Sequence, residues 1–156
     1  MTSNGDWDAA GTRLLGAAAE MIAAARFALA GLPVYRPLAD DRGVDLLVDL
    51  GAGRHLVVQV KSVRVNAGAG TYVFMSKKHF PLEEHYALCL VVFAHADPQP
   101  RLFLVPATVW RSPVRPFVDH HFAGLKSPPE FGLNINKTWR QDLAAWELDQ
   151  QISQLM

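Results

Sequence analysis

A carboxylate, a carboxamide and an ammonium group lie on two short apolar segments of this chain, separated by a glycine-rich turn. Asp45 and Asp49 belong to the first segment, and Gln59 and Lys61 belong to the second. Carboxylate and carboxamide oxygens are ligands that Mg²⁺ accepts in proteins, and an ammonium group attracts phosphate. Together these side chains are typical of a site that holds a divalent cation against a phosphate.

Both segments alternate apolar and polar residues, as strands with one buried face do. The glycines between them allow a tight hairpin turn. If the chain folds back with Leu50 opposite Arg54, Asp45 lies opposite Gln59, and a two-residue slip leaves the polar groups on the same face. We therefore expect Asp45, Gln59 and Lys61 to converge.

A helix is predicted over Thr12–Leu29, with Gly31 as its C-terminal stop. The residues predicted to form its buried stripe are Leu15, Ala18, Ile22, Ala25 and Leu29. Glu20 has only Gly and Ala three and four positions away, so no basic residue is available for a local salt bridge. Glu20 is therefore either an ordinary exposed helix residue or a carboxylate directed at another element across a packed interface.

Charge is segregated along the chain although the formal net charge is zero. Residues 50–82 contain no acid but carry Arg54, Lys61, Arg64, Lys77, Lys78, His55 and His79, and the residues just before them include Asp40, Asp41, Asp45, Asp49 and Arg42. This pattern predicts a metal-attracting end beside a phosphate-attracting surface. The candidate nucleic-acid contacts are Arg42, Arg64, Lys77 and Lys78. The neutral total favours a compact footprint or a basic partner chain over a large nonspecific DNA surface.

The order of the predicted elements indicates an α/β protein. After the hairpin come strands at Thr71–Met75, Tyr86–Ala94 and Arg101–Val105, and Pro106 opens a short helix. Tyr86–Ala94 is a continuous apolar run, too short to cross a bilayer and typical of a strand buried on both faces. Strands that alternate with flanking helices predict a layered arrangement.

A family resemblance is carried by Glu20 on the helix, the run Gly43-Val44-Asp45, and the run Gln59-Val60-Lys61. In this order they resemble the core motif of the PD-(D/E)xK nuclease superfamily, which includes restriction endonucleases and archaeal Holliday junction resolvases. Gln in place of the usual acid is similar to the Mrr-type branch, and Val44 stands where many members have Pro. The resemblance covers about residues 12–110. It implies a restriction endonuclease-like three-layer core, with a central mixed β-sheet flanked by helices, plus a C-terminal helix.

The same resemblance implies a Mg²⁺-dependent (or Mn²⁺-dependent) endonuclease that hydrolyses phosphodiester bonds of nucleic acid. DNA is the favoured substrate. Asp45 would be the central metal ligand, with the side-chain oxygen of Gln59 and the backbone carbonyl of Val60 as further ligands. Glu20 would join the metal site by holding one of its waters. Lys61 would orient the nucleophile or stabilise the transition state.

Three alternatives stay open at this point. A half-exposed hairpin with an ordinary solvated face shows the same alternation. A nuclease-like fold kept as a noncatalytic nucleic-acid-binding or regulatory module is favoured by the neutral charge and by Gln59, which removes a negative charge that Asp49 would have to restore. An α/β enzyme for a small molecule is a third, but the chain has no recognisable nucleophile or cofactor motif.

At 156 residues, half of them apolar, the chain is predicted to form one domain over residues 1–156. Its core spans about residues 12–110. Residues 111–156 are predicted to be an irregular segment, with a short strand at Phe131–Ile135, followed by a C-terminal helix over Lys137–Met156. Trp139 and Trp146 in that helix favour a homodimer.

The remaining chemistry-bearing residues are predicted to be structural. His120 and His121 lack partners at zinc-ligand spacing and are expected on the surface or in a loop, and Cys89 is expected in the core. A lone cysteine and a polar start without a signal pattern predict a cytoplasmic protein with no membrane partner.

Overall fold

A computed structural model of the chain describes residues 7–39, 42–66, 70–121, 123–124 and 126–156. The α-helices are α1 (Thr12–Leu29), α2 (Trp139–Asp142) and α3 (Leu148–Leu155), and short 3₁₀ helices lie at Trp7–Ala9, Ala107–Arg111 and Ala144–Trp146. The strands are β1 (Val34–Tyr35), β2 (Leu46–Gly51), β3 (Arg54–Val65), β4 (Thr71–Ser76), β5 (Tyr86–Ala94), β6 (Arg101–Pro106), β7 (Phe117–His120) and β8 (Glu130–Ile135).

Two sheets form the body of the domain. The larger sheet has the order β1-β2-β3-β5-β6, in which β3 and β5 are parallel and the other pairs are antiparallel. Helices α1 and α3 pack on one face of it, whereas an antiparallel sheet of order β4-β8-β7 and helix α2 pack on the other. The predicted fold class, a central mixed sheet with flanking helices and a C-terminal helix, is confirmed.

Helix α1 has the predicted bounds and the predicted stop. Gly31 has φ +86°, and its N–H donates to the carbonyl of Ala28 at 2.9 Å. The N–H of Leu32 reaches back to the carbonyl of Phe27 at 3.1 Å. These two hydrogen bonds close the end of the helix, and they require the left-handed conformation that glycine adopts at low cost.

The predicted buried stripe of α1 is right for Leu15 and partly right for Ile22, which packs half-buried against the core, but wrong for Ala25 and Leu29, which are exposed. The residues of α1 that are buried are Leu15, Ala19, Ala23 and Phe27, whereas the predicted Ala18, Ile22, Ala25 and Leu29 are half-buried or exposed. Because alanine occurs on every side of this helix, apolar spacing could not identify the inner face. The face with Ala19 and Ala23 is inside because small side chains let the helix approach the sheet closely.

Strand β5 is the centre of the core. Every residue from Ala87 to Ala94 is buried, as expected for a strand covered on both faces. Alternate residues point to opposite sides: Cys89 and Phe93 contact the cluster under α1, and Leu88 and Leu90 contact the cluster under the second sheet. Cys89 is therefore a core residue, as predicted.

The β2–β3 hairpin has the predicted register along most of its length. Leu46 pairs with Val58 and Val48 with Leu56, which is the alignment that continues to Asp45 opposite Gln59. The register shifts at the turn, where Gly51 rather than Leu50 pairs with Arg54. Strand β3 continues to Val65, so in the described chain no strand pairs with its β2-side edge beyond Val58.

The segment after residue 110 is more ordered than predicted. It contains β8, close to the expected short strand at Phe131–Ile135, and also β7, which was not predicted. The expected single helix over Lys137–Met156 is divided into α2, a 3₁₀ turn and α3, because Glu147 is extended and bridges to Phe103 of β6. Within the described residues, no helix is long and apolar enough to cross a bilayer.

Candidate active site

Asp45 lies where β2 begins and joins the two strands of the hairpin. Its N–H donates to the carbonyl of Val58 at 3.0 Å, and its Oδ2 accepts a hydrogen bond from the N–H of Val60 at 2.6 Å. Val60 is just beyond the last β2–β3 pair, so the Asp45 side chain accepts the hydrogen bond that a neighbouring strand would otherwise accept from the Val60 N–H. The carboxylate is thereby fixed against the backbone of the Gln59–Lys61 run.

Gln59 is packed under the loop that precedes Asp45. A Cβ atom on Gly43 would lie 3.0 Å from Nε2 of Gln59 and 3.6 Å from Cβ of His79, and Gly43 has φ +70°. The Oε1 atom of Gln59 is buried and accepts no hydrogen bond from any residue that the structure describes. A buried carbonyl oxygen without a donor is costly, so Gln59 is suited to bind a cation or a donor from another molecule.

A cleft of about 400 Å³ opens between α1, the uncovered part of β3 and strand β4. It is lined by Thr12, Gly16, Glu20, Val60, Lys61, Ser62, Tyr72, Val73 and Phe74. Glu20 and Lys61 therefore face one space, although they are far apart in sequence. Asp45 is connected to this cleft by its hydrogen bond to Val60 and is not one of the lining residues.

Glu20 has an ion-pair partner that helix spacing could not reveal. Its Oε2 lies 2.6 Å from a guanidinium nitrogen of Arg36, which follows β1, and its side chain is 29% exposed. The helix itself offers no basic neighbour, as expected, but the chain returns past α1 and provides one. Arg36 is therefore a partner of Glu20 that the sequence analysis missed.

Lys61 points to the second sheet rather than to a carboxylate. Its Nζ lies 5.9 Å from the centre of the Phe74 ring. In the part of the chain that the structure describes, Lys61 forms no ion pair with an acid. Its charge is thus available to an anion that enters the cleft.

Asp49 is too far along β2 to restore the charge that Gln59 lacks. It is paired with His55, and its Oδ1 accepts a hydrogen bond from the N–H of Gly51 at 2.8 Å. Four residues of strand separate it from Asp45, or about 13 Å. Asp49 stabilises the hairpin turn instead, so the compensating role considered for it is ruled out.

The four candidate nucleic-acid contacts divide into two pairs. Arg64 donates to the backbone carbonyls of Trp7, at 2.9 Å, and Ala10, and Lys77 forms an ion pair with Asp119. These two side chains hold parts of the protein together. Arg42 and Lys78 are exposed.

Three histidines and two acids that the sequence analysis named remain to be located. His79 lies beside Gly43, a position that was not predicted. His121 is exposed and bonds to Lys77, whereas His120 lies on β7 and contacts the Tyr72 ring. Asp40 and Asp41 lie outside the described residues.

The described residues contain no group of three or more His, Cys, Asp or Glu side chains placed to hold a metal ion. A metal site at the hairpin would instead combine carboxylate, carboxamide and backbone oxygens, a hard donor set of the kind that Mg²⁺ accepts. Cys89 takes no part, because burial raises the pKa of its thiol to about 12.

Comparison with known proteins gives the fold a precedent. No protein-family profile and no curated protein sequence matches the chain. Among solved structures, it is similar to a bacterial homing endonuclease, at 22% identity over 90% of this chain and 92% of the other, with a TM-score of 0.54. It is also similar to a Holliday junction resolvase from the archaeal hyperthermophile Archaeoglobus fulgidus, at 13% identity over 88% and 95% of the two chains, with a TM-score of 0.50.

The chain shares the fold of these two nucleases. At these identities the likeness establishes architecture alone, so activity has to be argued from the site. The carboxylate of Asp45 and the cleft with Lys61 are the features that carry that argument.

Proposed function

We propose that this protein is a metal-dependent endonuclease that hydrolyses phosphodiester bonds of nucleic acid, with DNA as the first substrate to test. One observation carries the proposal. In a nuclease fold, the Asp45 carboxylate is fastened to the backbone between Gln59 and Lys61, at 2.6 Å from the Val60 nitrogen. A solvated hairpin face would not need this contact at the start of β2.

The oxygen donors fit a hard cation. Asp45, the buried side-chain oxygen of Gln59 and the backbone carbonyl of Val60 would hold it, with Glu20 interacting through a water. Bound Mg²⁺ or Mn²⁺ would polarise the phosphate and promote ionisation of water. Titration calorimetry with Mn²⁺ tests the site directly, because Asp45→Asn should weaken binding at least tenfold; identical wild-type and variant titrations would exclude this metal site.

The chain's own residues would position the reactants. Lys61 would donate from Nζ to a phosphate oxygen as negative charge grows there. Glu20 would accept a hydrogen bond from the attacking water, and Arg36 would hold the Glu20 carboxylate at the cleft. The Val60 N–H would keep Asp45 oriented throughout.

Cleavage assays test the activity. Supercoiled, linear, branched and single-stranded DNA would be incubated with Mn²⁺ and with wild-type, Lys61→Ala or Lys137→Ala protein. Lys137 is an exposed lysine outside the cleft and serves as the charge-matched control. We expect Lys61→Ala to lower the cleavage rate at least a hundredfold and Lys137→Ala to leave it within twofold. Cleavage that survives Lys61→Ala would place the activity elsewhere.

A noncatalytic nucleic-acid-binding or regulatory module is the second candidate, and Gln59 is the observation that favours it. The carboxamide removes one negative charge from the proposed cation site, which lowers its attraction for metal. Gln59→Glu restores that charge, with Gln154→Glu as an exposed control. If only Gln59→Glu binds Mn²⁺ and cleaves DNA, the natural protein is the binding module; activity in the natural protein supports the nuclease.

We also propose that the protein forms a homodimer, through a surface different from the one first considered. Trp139 is buried and Trp146 packs against the core, so the C-terminal aromatic residues are occupied within one chain. The outward face of α1 is the better candidate, because Leu14, Met21 and Leu29 are all exposed there.

A further inference from the structure

Two aromatic side chains lie side by side on the outer face of β4, at the border of the candidate active site. The ring centres of Tyr72 and Phe74 are 6.3 Å apart, and the ring planes differ by 18°. Phe74 is 51% exposed, and both residues line the Lys61 cleft. A stacked pair with one exposed ring beside a cationic group differs from the scattered apolar residues of an ordinary surface.

Tyr72 is held rigidly in this pair. Its ring lies over Gly132 of β8, where any side chain would overlap it. Its hydroxyl donates to Oε1 of Glu130 at 3.0 Å, and burial together with Glu130 raises the pKa of Tyr72, so the hydroxyl stays protonated as a donor. A ring that is already fixed loses little conformational entropy when a ligand stacks beside it.

Tyr72 also lines a second cleft. It has a volume of about 520 Å³ and is lined by Gly70, Thr71, Tyr72, Arg115, Asn134, Ile135 and Asn136. Arg115 and Asn134 are exposed. A guanidinium binds phosphate and an amide binds base edges, so two clefts that share the Tyr72 ring are suited to successive nucleotides of one strand.

We propose that Phe74 and Tyr72 are a stacking platform for an unpaired nucleobase of the substrate, next to the phosphate held by Lys61. The following nucleotide of the same strand would lie at Arg115 and Asn134. This inference rests on the proposed function, because it takes the Lys61 cleft as the phosphate site. The substrate class is therefore a strand that is single or locally unpaired, since a base inside a duplex cannot offer its face to a ring.

The charge of the protein agrees with this assignment. The formal net charge is zero, and Arg64 and Lys77 are engaged inside the protein. Fewer side chains are therefore left for phosphate contacts, whereas stacking on an aromatic ring is independent of base sequence and contributes without further charge.

Fluorescent oligonucleotides give a direct test. The Asp45→Asn variant is used without metal so that the DNA is not cleaved during the titration. It would be titrated into DNA that carries 2-aminopurine in a single strand, in a one-base bulge or in a fully paired duplex. We expect quenching of 2-aminopurine and at least tenfold tighter binding for the two unpaired probes. In the same background, Phe74→Leu should weaken binding of the unpaired probes about tenfold and leave the paired duplex within twofold.

Two further variants separate the ring from its apolar area and from general surface effects. Phe74→Trp keeps an aromatic face and should retain the preference for unpaired DNA. Tyr35→Leu removes an exposed ring of β1 that does not line the cleft, and it should change nothing. The platform is overturned if Phe74→Leu affects paired and unpaired probes equally, or neither.

Failure of the platform and failure of the nuclease can be told apart. Cleavage that depends on Lys61 but is indifferent to Phe74→Leu would overturn only the platform. Binding that depends on Phe74, with no Lys61-dependent cleavage of any substrate, would support the platform and overturn the catalytic role. Absence of binding to all three probes would overturn the platform.

Discussion

Gly43 combines two constraints at one position beside the candidate site. Its φ of +70° favours glycine, and its Cα faces the Gln59 amide so closely that a Cβ would lie 3.0 Å from Nε2. Gly31 has a similar φ of +86° but open space around it. The two glycines therefore form a matched pair that separates backbone strain from contact with Gln59.

We expect Gly31→Ala to lower the free energy of unfolding by about 1–2 kcal/mol, the cost of the left-handed conformation. Gly43→Ala should lower it by about 1 kcal/mol more, because the Gln59 side chain has to move. Urea denaturation measures both. Mn²⁺ titration should show weaker binding for Gly43→Ala alone, and equal binding by the two variants would show that Gln59 takes no part in the metal site.

Single residues also show which contacts of the candidate site can be predicted from sequence and which cannot. The hairpin register that aligns Asp45 with Gln59 was predictable because both residues lie within one hairpin, whose turn and alternation decide which side chains share a face. Arg36 was not, because its contact with Glu20 depends on how β1 passes α1 in three dimensions. No local spacing rule links residues sixteen positions apart with a strand between them.

Elements follow the same division between local and distant determinants. The bounds of α1 and the burial of β5 follow from sequence runs that are each complete in themselves. The β4-β8-β7 sheet joins Thr71 to Ile135, and short strands at such separation leave no periodic signal that would reveal their partners. The stripe of α1 failed for a different reason, since alanine gives its faces nearly equal apolar character.

Arg64 shows how one side chain can hold an element. It donates to the carbonyls of Trp7 and Ala10 and lies 3.8 Å from Asp8, while the Trp7 ring packs edge-on against Phe93 at 5.1 Å. The 3₁₀ turn at the start of the described chain is thus fastened to the inner face of β3.

We expect Arg64→Gln to release this turn without unfolding the core, because about 1–3 kcal/mol of charge-assisted hydrogen bonding is lost locally. Hydrogen exchange followed by mass spectrometry should show amides of residues 7–11 exchanging at least tenfold faster and β5 unchanged. Arg13→Gln, an exposed arginine on α1, is the control. Unchanged protection at residues 7–11 would mean that Trp7 alone holds the turn.

On the surface of the whole molecule, the outward face of α1 exposes three large apolar side chains, Leu14, Met21 and Leu29. Its apolar residues read almost the same in both directions about the point between Met21 and Ile22: Leu14 exchanges with Leu29 and Ala18 with Ala25. Two copies of the helix packed antiparallel around a two-fold axis would therefore place like against like, as a symmetric dimer interface requires.

We expect light scattering with size-exclusion chromatography to give a dimer for the wild type and a monomer for Met21→Glu, since a carboxylate at the centre of an apolar interface has no partner. Met156→Glu changes an equally exposed methionine away from α1 and should leave the dimer intact. A wild-type monomer at micromolar concentration would contradict the proposed interface.

Cys89 makes the free energy of unfolding sensitive to pH in the alkaline range. Burial raises the pKa of its thiol from 9.0 to about 12, so between these values the unfolded chain binds fewer protons than the folded one. The free energy of unfolding therefore falls as the pH rises, by about 1.4 kcal/mol per pH unit from this group. Urea denaturation between pH 9 and 11 should show a steeper fall for the wild type than for Cys89→Ala; parallel curves would disprove the assignment.

The uncovered half of β3 has a consequence for solubility. An open strand edge can pair with a strand of another chain and extend into an aggregate, and charged side chains at the edge oppose this. Here the Asp45 carboxylate occupies the Val60 N–H, and Lys61 stands next to it. The residues proposed for catalysis thus also keep a strand edge from recruiting neighbours, so a variant that removes them loses protection against aggregation together with activity.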